Sequence, residues 1–104
     1  MTFRVVITTR AERDQVEIAE WIGRDSPMAA IRWLDDLAKA FESLSDNAHR
    51  FPLAIENEFH AVEIRHLIFG VYRVLFTVDE RTVTVLHVRH GAQLPAQQPD
   101  DLER

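Results

Sequence analysis

Three arginines and one histidine in the second half of the chain have the residue types and spacing for anion chemistry. Arg65, Arg73, Arg89 and His87 all lie between Ala61 and His90, in the run AVEIRHLIFGVYRVLFTVDERTVTVLHVRH. A guanidinium presents a planar fork of N–H donors that matches phosphate or carboxylate two bonds at a time. Imidazole titrates near neutrality, so His87 or His90 could act as a general acid or base. The run alternates with period two, and that alternation puts Glu63, Arg65, Arg73, His87 and Arg89 on one face of a sheet if the apolar sets share the other. Two readings stand side by side. One is an anion or partner site; the other is ordinary cross-strand pairing on a solvated face, for example Glu63 against Arg73.

Other chemistries find less support. The histidines His60, His66, His87 and His90 do not have zinc-motif spacing, no acid completes a facial triad, and the chain has no cysteine. No metal or cofactor is expected. Ser26 reads as a helix cap, while Ser43 and Ser45 have no evident base. With glycine only at positions 23, 70 and 91, no glycine-rich phosphate loop can be drawn.

The elements that must position these residues follow from periodicity. In the middle of the run Tyr72, Val74, Phe76 and Val78 alternate with Val71, Arg73, Leu75 and Thr77, which predicts a strand apolar on one side. Gly70 and Asp79-Glu80-Arg81 mark the turns that make it the centre of a three-stranded meander. Upstream, Phe3 to Thr8 reads as a short strand. Thr9-Arg10-Ala11-Glu12 has capping-box spacing and predicts a helix whose buried stripe is Ala11, Gln15, Ile18 and Ile22, flanked by Ala19 and Trp21. Gly23 breaks it, Ser26 caps a second helix and Pro27 takes its first position. That helix buries Ala30, Leu34, Leu37, Phe41 and Leu44, with Ile31 and Ala38 beside them, and stops near Asp46-Asn47. Trp33 lies next to the stripe, as packing or as an interface anchor. Phe51 to Glu58 is expected to be loop.

The fold class is therefore α+β in the order β-α-α-β-β-β. A helical hairpin packs on one face of a small, mainly antiparallel four-stranded sheet, the N-terminal strand at one edge, with the opposite face left open. At 104 residues a single domain over 1–91 is expected. The remainder, 92–104, with two prolines and three acids, reads as a flexible acidic tail. A net charge of −5 argues against nucleic-acid binding by charge, and no direct sequence-specific contact with nucleic acid is expected. Residues 60–91 nonetheless carry four arginines against three acids, and Lys39 is the only lysine. No apolar run approaches a membrane span or a signal-peptide core, so no membrane association and a cytoplasmic location are expected.

In this order the segments resemble the ParE/RelE superfamily of toxins from type II toxin–antitoxin pairs, several of which stabilise plasmids. The matching pieces are A-x-x-D-x-x-E-I-x-x-W-I from Ala11, D-S-P-x-A-A from Asp25, L-x-x-A-x-x-S-L from Leu37, and Phe51-Pro52. The sheet adds I-R-H-L from Ile64, G-V-Y-R-V-L-F-T-V from Gly70 and V-x-V-L-H-V-R-H-G from Val83. The resemblance implies the β-α-α-β-β-β arrangement and a cognate antitoxin, expected to be of the ribbon-helix-helix type.

RelE-like members cut messenger RNA on the ribosome with sheet lysines and arginines, basic residues after the last strand and often a C-terminal tyrosine. Arg65 and Arg73 match sheet arginines of that branch. The other members of the set are missing, with Ala92-Gln93 after Gly91 and Tyr72 as the only tyrosine. ParE-like members poison DNA gyrase by binding, and the D-S-P link and the Y-R-V strand look closer to them. The expectation is a ParE-like toxin with Arg65, Arg73, Arg89 and His87 contacting antitoxin or target. Were it a nuclease, Arg65, Arg73, His87 and His90 would carry the chemistry. A non-toxic relative that keeps only antitoxin binding is the third reading.

Overall fold

The computed structural model describes residues 2–46, 48–59 and 62–92. Its elements are β1 (Arg4–Ile7), α1 (Thr9–Gly23), α2 (Pro27–Ser43), β2 (Arg65–Phe69), β3 (Tyr72–Asp79) and β4 (Thr82–His90), with short 3-10 turns at Ala48–Arg50 and Ile55–Phe59. The sheet order is β1-β4-β3-β2. The meander is antiparallel, and β1 joins its edge parallel to β4, pairing Arg4 with Thr82 and Ile7 with Val85. Gly70, at φ +60, opens the β2–β3 turn, and Glu80, at φ 48, sits in the β3–β4 turn. A side chain is disfavoured at Gly70 by backbone conformation alone, because the space around it is empty.

The cap of α1 falls one residue earlier than the capping-box spacing predicts. Thr8, not Thr9, is the N-cap: its hydroxyl accepts from the Ala11 N–H at 3.1 Å and donates to the Leu86 carbonyl at 3.2 Å. Glu12 is therefore outside the cap, and the same hydroxyl fastens the helix start to β4. At the next helix the expectation holds. Ser26 accepts from the Ala29 N–H and Pro27 opens α2.

The helices pack on one face of the sheet around Phe3, Ala11, Leu37, Phe41, Leu44, Val74, Phe76, Val83, Val85 and Val88. The stripe of α2 is buried as expected at Ala30, Leu37, Phe41 and Leu44, whereas Leu34 and the flanking Ile31 are exposed and Trp33 packs on the core. Trp33 meets the rings of Phe69 and Tyr72 edge-on at 6.0 and 5.5 Å. On α1 the buried polar position is Asp14, and Trp21 lies outside with the Arg24 guanidinium over its ring.

The opposite face is not open. Ala54, Ile64, Leu75 and Leu86 form a second small core there, and Thr77 is also buried. A break in strand parity in β4 and the face taken by β2 cause this. A bulge lies between Leu75, paired with His87, and Phe76, paired with Val85, so Leu86 is the extra residue. Leu86 consequently enters the second core while Val85 and Val88 enter the first. In β2 the register pairs Leu67 with Val74 and Arg65 with Phe76, so Ile64 faces the second core and Arg65 the helix side. His60, Asn47 and the tail from residue 93 lie outside the described residues. Among the described residues no helix is long and apolar enough to cross a membrane.

Candidate functional site

On β3, Arg73 faces away from the helices, between Ile68 of β2 and Arg89 of β4. The chain after Pro52 returns over this face. The Ala54 N–H donates to the Ile64 carbonyl at 2.7 Å, and Asn57 Oδ1 accepts from the Ile64 N–H at 2.9 Å. The 3-10 turn between them delivers Glu56, a carboxylate with 0% exposure. Arg73 meets it as a fork: Nη1 donates to Oε1 at 2.8 Å and Nη2 to Oε2 at 2.6 Å. Such parallel charge-assisted bonds are what compensates the desolvation of both ions. The Glu56 hydrogen bonds hold the Arg73 pKa above its ordinary value, against the opposing effect of burial.

His66, on the same face, responds in the other direction. Burial lowers its pKa, the Arg73 charge lowers it further, and Glu56 partly opposes both. Its Nδ1 is buried without a hydrogen-bond partner.

A second polar cluster forms where β1 ends and leaves the edge of β4 uncovered. The first turns of α1 take over that edge. The Thr8 N–H donates to the Val85 carbonyl at 3.1 Å, and two turns on Asp14 Oδ2 accepts from the Val88 N–H at 2.9 Å and from His87 Nδ1. Arg10 Nε donates to the other Asp14 oxygen at 3.3 Å. The remaining ring nitrogen, His87 Nε2, lies 3.1 Å from Arg10 Nη2 and 3.1 Å from Arg89 Nη1. A guanidinium can only donate, so Nε2 accepts and the ring proton sits on Nδ1, facing Asp14. This tautomer leaves His87, which is 3% exposed, as a bridge between a carboxylate and two cations. Beside it a cleft of about 230 Å³ opens between α1 and β4, bordered by Arg10, Asp14, Glu17, Tyr72, His87 and His90. His90 stacks edge-on against Tyr72 at 5.6 Å.

The expected grouping of Arg65, Arg73, Arg89 and His87 is thus met in part. Arg73 and Arg89 are cross-strand partners and Arg89 touches His87, but Arg65 is on the other side of the sheet. There its Nη1 donates to the Phe51 carbonyl at 2.6 Å, and its Nη2 reaches Glu63 at 3.3 Å. The cross-strand pairing of Glu63 with Arg73 is replaced by Glu56 with Arg73. His90 is exposed at the end of β4. No group of three or more side chains able to hold a metal ion occurs among the described residues.

Glu56, Asp14 and Arg10 were not among the expected site residues. Asp14 left a signal, because it stands three residues after Ala11 and four before Ile18, inside the buried stripe of α1. Glu56 left none, lying in a loop without periodicity.

Comparison with known proteins agrees with this architecture. The Pseudomonas aeruginosa chromosomal ParDE toxin–antitoxin structure superimposes with a TM-score of 0.70 at 15% identity, over 86% of this chain and 96% of that one. The toxin–antitoxin complex RelBE2 from Mycobacterium tuberculosis gives 0.59 at 26% identity, over 86% and 99%. In sequence, "Toxin RelE2" of Caulobacter vibrioides is 33% identical over 92 residues, covering 88% of this chain and 98% of that protein. The family model for the ParE toxin of the type II toxin–antitoxin system parDE matches residues 5–95. The chain belongs to the ParE toxin family, within the ParE/RelE superfamily of type II toxins.

Proposed function

We propose that this toxin acts by binding rather than by catalysis, that DNA gyrase is its target, and that a cognate antitoxin neutralises it. The observation that carries the reading is the commitment of Arg73 to Glu56. A nuclease of the RelE kind needs sheet cations free to hold a phosphodiester, whereas here the best-placed one is closed by a buried carboxylate. The described sheet also holds no lysine. The contact set we propose is Arg73 and Arg89 with His87, all largely buried in the free chain, so that a partner reaches them only by displacing the residues that cover them. Arg65 joins it only where a partner wraps around the β2 edge.

The antitoxin partner is supported by the structural neighbours, which are a ParDE toxin–antitoxin system and a RelBE2 toxin–antitoxin complex. The outer surface of the helix hairpin suits such a partner: Val16 and Leu34 are exposed, and with Ala19 they line an apolar depression of about 510 Å³. An amphipathic segment of a ribbon-helix-helix antitoxin would lay its apolar side there.

The second reading, messenger RNA cleavage on the ribosome, is favoured by one observation: His87 and His90 border the same cleft as Arg10 and Tyr72. Two assays on purified protein separate the readings. In DNA supercoiling by gyrase the toxin is expected to inhibit and to accumulate cleaved DNA, and with programmed ribosomes to leave messenger RNA intact. Cut messenger RNA with normal supercoiling overturns the proposal, and inactivity in both, with normal growth on induction, identifies a non-toxic relative.

A further inference from the structure

We infer that the cleft between α1 and β4 is a docking groove for the chain's own acidic end, Asp100-Asp101-Leu102-Glu103, which folds back along α1 to its first turns. The occupant belongs to residues 93–104, which continue the described chain, and its docking is independent of any target.

The cleft is elongated along the helix. From α1 it takes Arg10, Asp14, Glu17 and Ile18, a single stripe about 12 Å long, and it faces His87, Val88 and His90 of β4. Its volume of about 230 Å³ lies below the roughly 300–1,000 Å³ that holds small-molecule ligands, and fits side chains of an extended segment laid across it. Positive charge gathers at one end. Arg10 stands there, Arg13 is exposed one turn on, and Arg89 meets the far side of the His87 ring. Of the two carboxylates, Asp14 already accepts from three donors, and Glu17 lies nearer the opposite end.

α1 and β4 run the same way, since Thr8 meets Val85 and Leu86 while Asp14 meets Val88. A segment leaving the end of β4 must therefore double back to reach Arg10. The chain turns at that place: residues 91 and 92 form a turn, and the Ala92 N–H donates to His90 Nδ1 at 3.0 Å, on the border of the cleft. Pro95 and Pro99 favour extended backbone beyond it, so the run from Ala92 to Asp100 spans about 25 Å at ~3.1 Å per residue. That length covers the roughly 12 Å of helix between Ile18 and Arg10 and leaves enough for the crossing from β4. The acids thus arrive beside Arg10 and Arg13, and three acids against the single Arg104 give them the opposite charge. Exposed ion pairs are individually weak, but the tether holds these at an effective concentration on the order of millimolar. A docked tail covers Arg10 and His87, so an anion that uses the cleft must first displace it.

The chain has no cysteine, so Gln98→Cys supplies a single thiol for a nitroxide, which broadens only nearby amide signals in the isotope-enriched full chain. Arg13, Glu17 and Val88 are expected to lose most of their intensity, while Glu80 and Arg81 at the far end of the sheet keep theirs. Adding Asp100→Asn, Asp101→Asn and Glu103→Gln restores the cleft signals, and Arg13→Gln restores them in part; all four positions lie outside the core, so the fold is kept.

Broadening confined to Val71, Tyr72 and His90 at the root of the tail would overturn the inference, as would broadening spread over the whole surface. So would cleft signals that stay broadened once the three acids are neutralised. Equal broadening in enriched, unlabelled chain mixed with nitroxide-bearing unenriched chain would assign the contact to a second copy and overturn the fold-back.

Discussion

Asp14→Ala is the substitution whose cost follows most directly from the structure. The Asp14 carboxylate, 8% exposed, accepts from the Val88 N–H, from His87 Nδ1 and from Arg10. Alanine leaves the first two as buried donors with no acceptor, each costing about 1–3 kcal/mol. It also leaves the Arg10 and Arg89 guanidinium groups converging on His87 with no carboxylate behind it. Together these give a loss of about 3–5 kcal/mol, the range for breaking a buried ion pair by removing one partner. In a domain of this size that is a fall in Tm of roughly 15–25 °C. Asp14→Asn keeps a carbonyl acceptor for both Val88 N–H and His87 Nδ1, which share Oδ2, and turns its amide N–H₂ only toward Arg10, so a much smaller loss than for Asp14→Ala is expected. Urea denaturation of both variants, with a double-mutant cycle to His87→Leu, measures the cost and its coupling. A loss below about 0.5 kcal/mol for Asp14→Ala, in the range of ordinary surface changes, would refute the view that α1 is tied to the sheet edge through this carboxylate.

Two further outcomes concern the turn and the second face. His66 has its pKa lowered in the folded chain, so the unfolded state binds the proton more readily, and stability should fall as pH drops through the unfolded value of 6.5 and the protonated unfolded state gains. Thermal melts of wild type between pH 5 and 8 should show that slope and His66→Gln should flatten it; equal slopes would remove His66 as its source. At Gly70 any L side chain meets the cost of φ +60 in open space, so Gly70→Ala should lose about 1 kcal/mol and Gly70→Asn less, as read by urea denaturation.

The order of elements, the Ser26 cap and the helix-facing set of β3 were legible in the sequence because each rests on local spacing. Local spacing also explains the failures. Assigning Arg65 to the face of Arg73 assumed that the apolar residue beside it, Ile64, faces the helices, whereas the β2–β3 register puts Ile64 in the second core and Arg65 toward the helices. In β4 strict alternation would put Leu86 on the face of Val88, and the bulge at Leu75/Phe76 separates them. A bulge is decided by what the neighbouring strand and both cores can accommodate, and a single strand's alternation does not contain that. Glu56 was illegible for a different cause. Its burial depends on an arginine 17 positions away, and nothing within its own loop marks it as inward. Asp14 could have been read, since a lone carboxylate inside an apolar stripe requires a partner across the interface.

The sheet order has a consequence for how the chain acquires its shape. β4, flanked by β1 and β3, is the last strand to be synthesised, and the hydrogen bond from Thr8 to Leu86 joins residues 78 positions apart. Until Leu86 has left the ribosome, β1 has no strand to pair with, the start of α1 has no edge to cap and Asp14 has no histidine. Helical contacts can form early, but they close no core. The ordering entropy of nearly the whole chain must be met before its longest-range contacts form, which slows folding relative to a chain of local contacts. The nascent chain thus passes through the synthesis of these elements with the faces of its future sheet exposed, and the sheet surface comes into being only once β4 has been made.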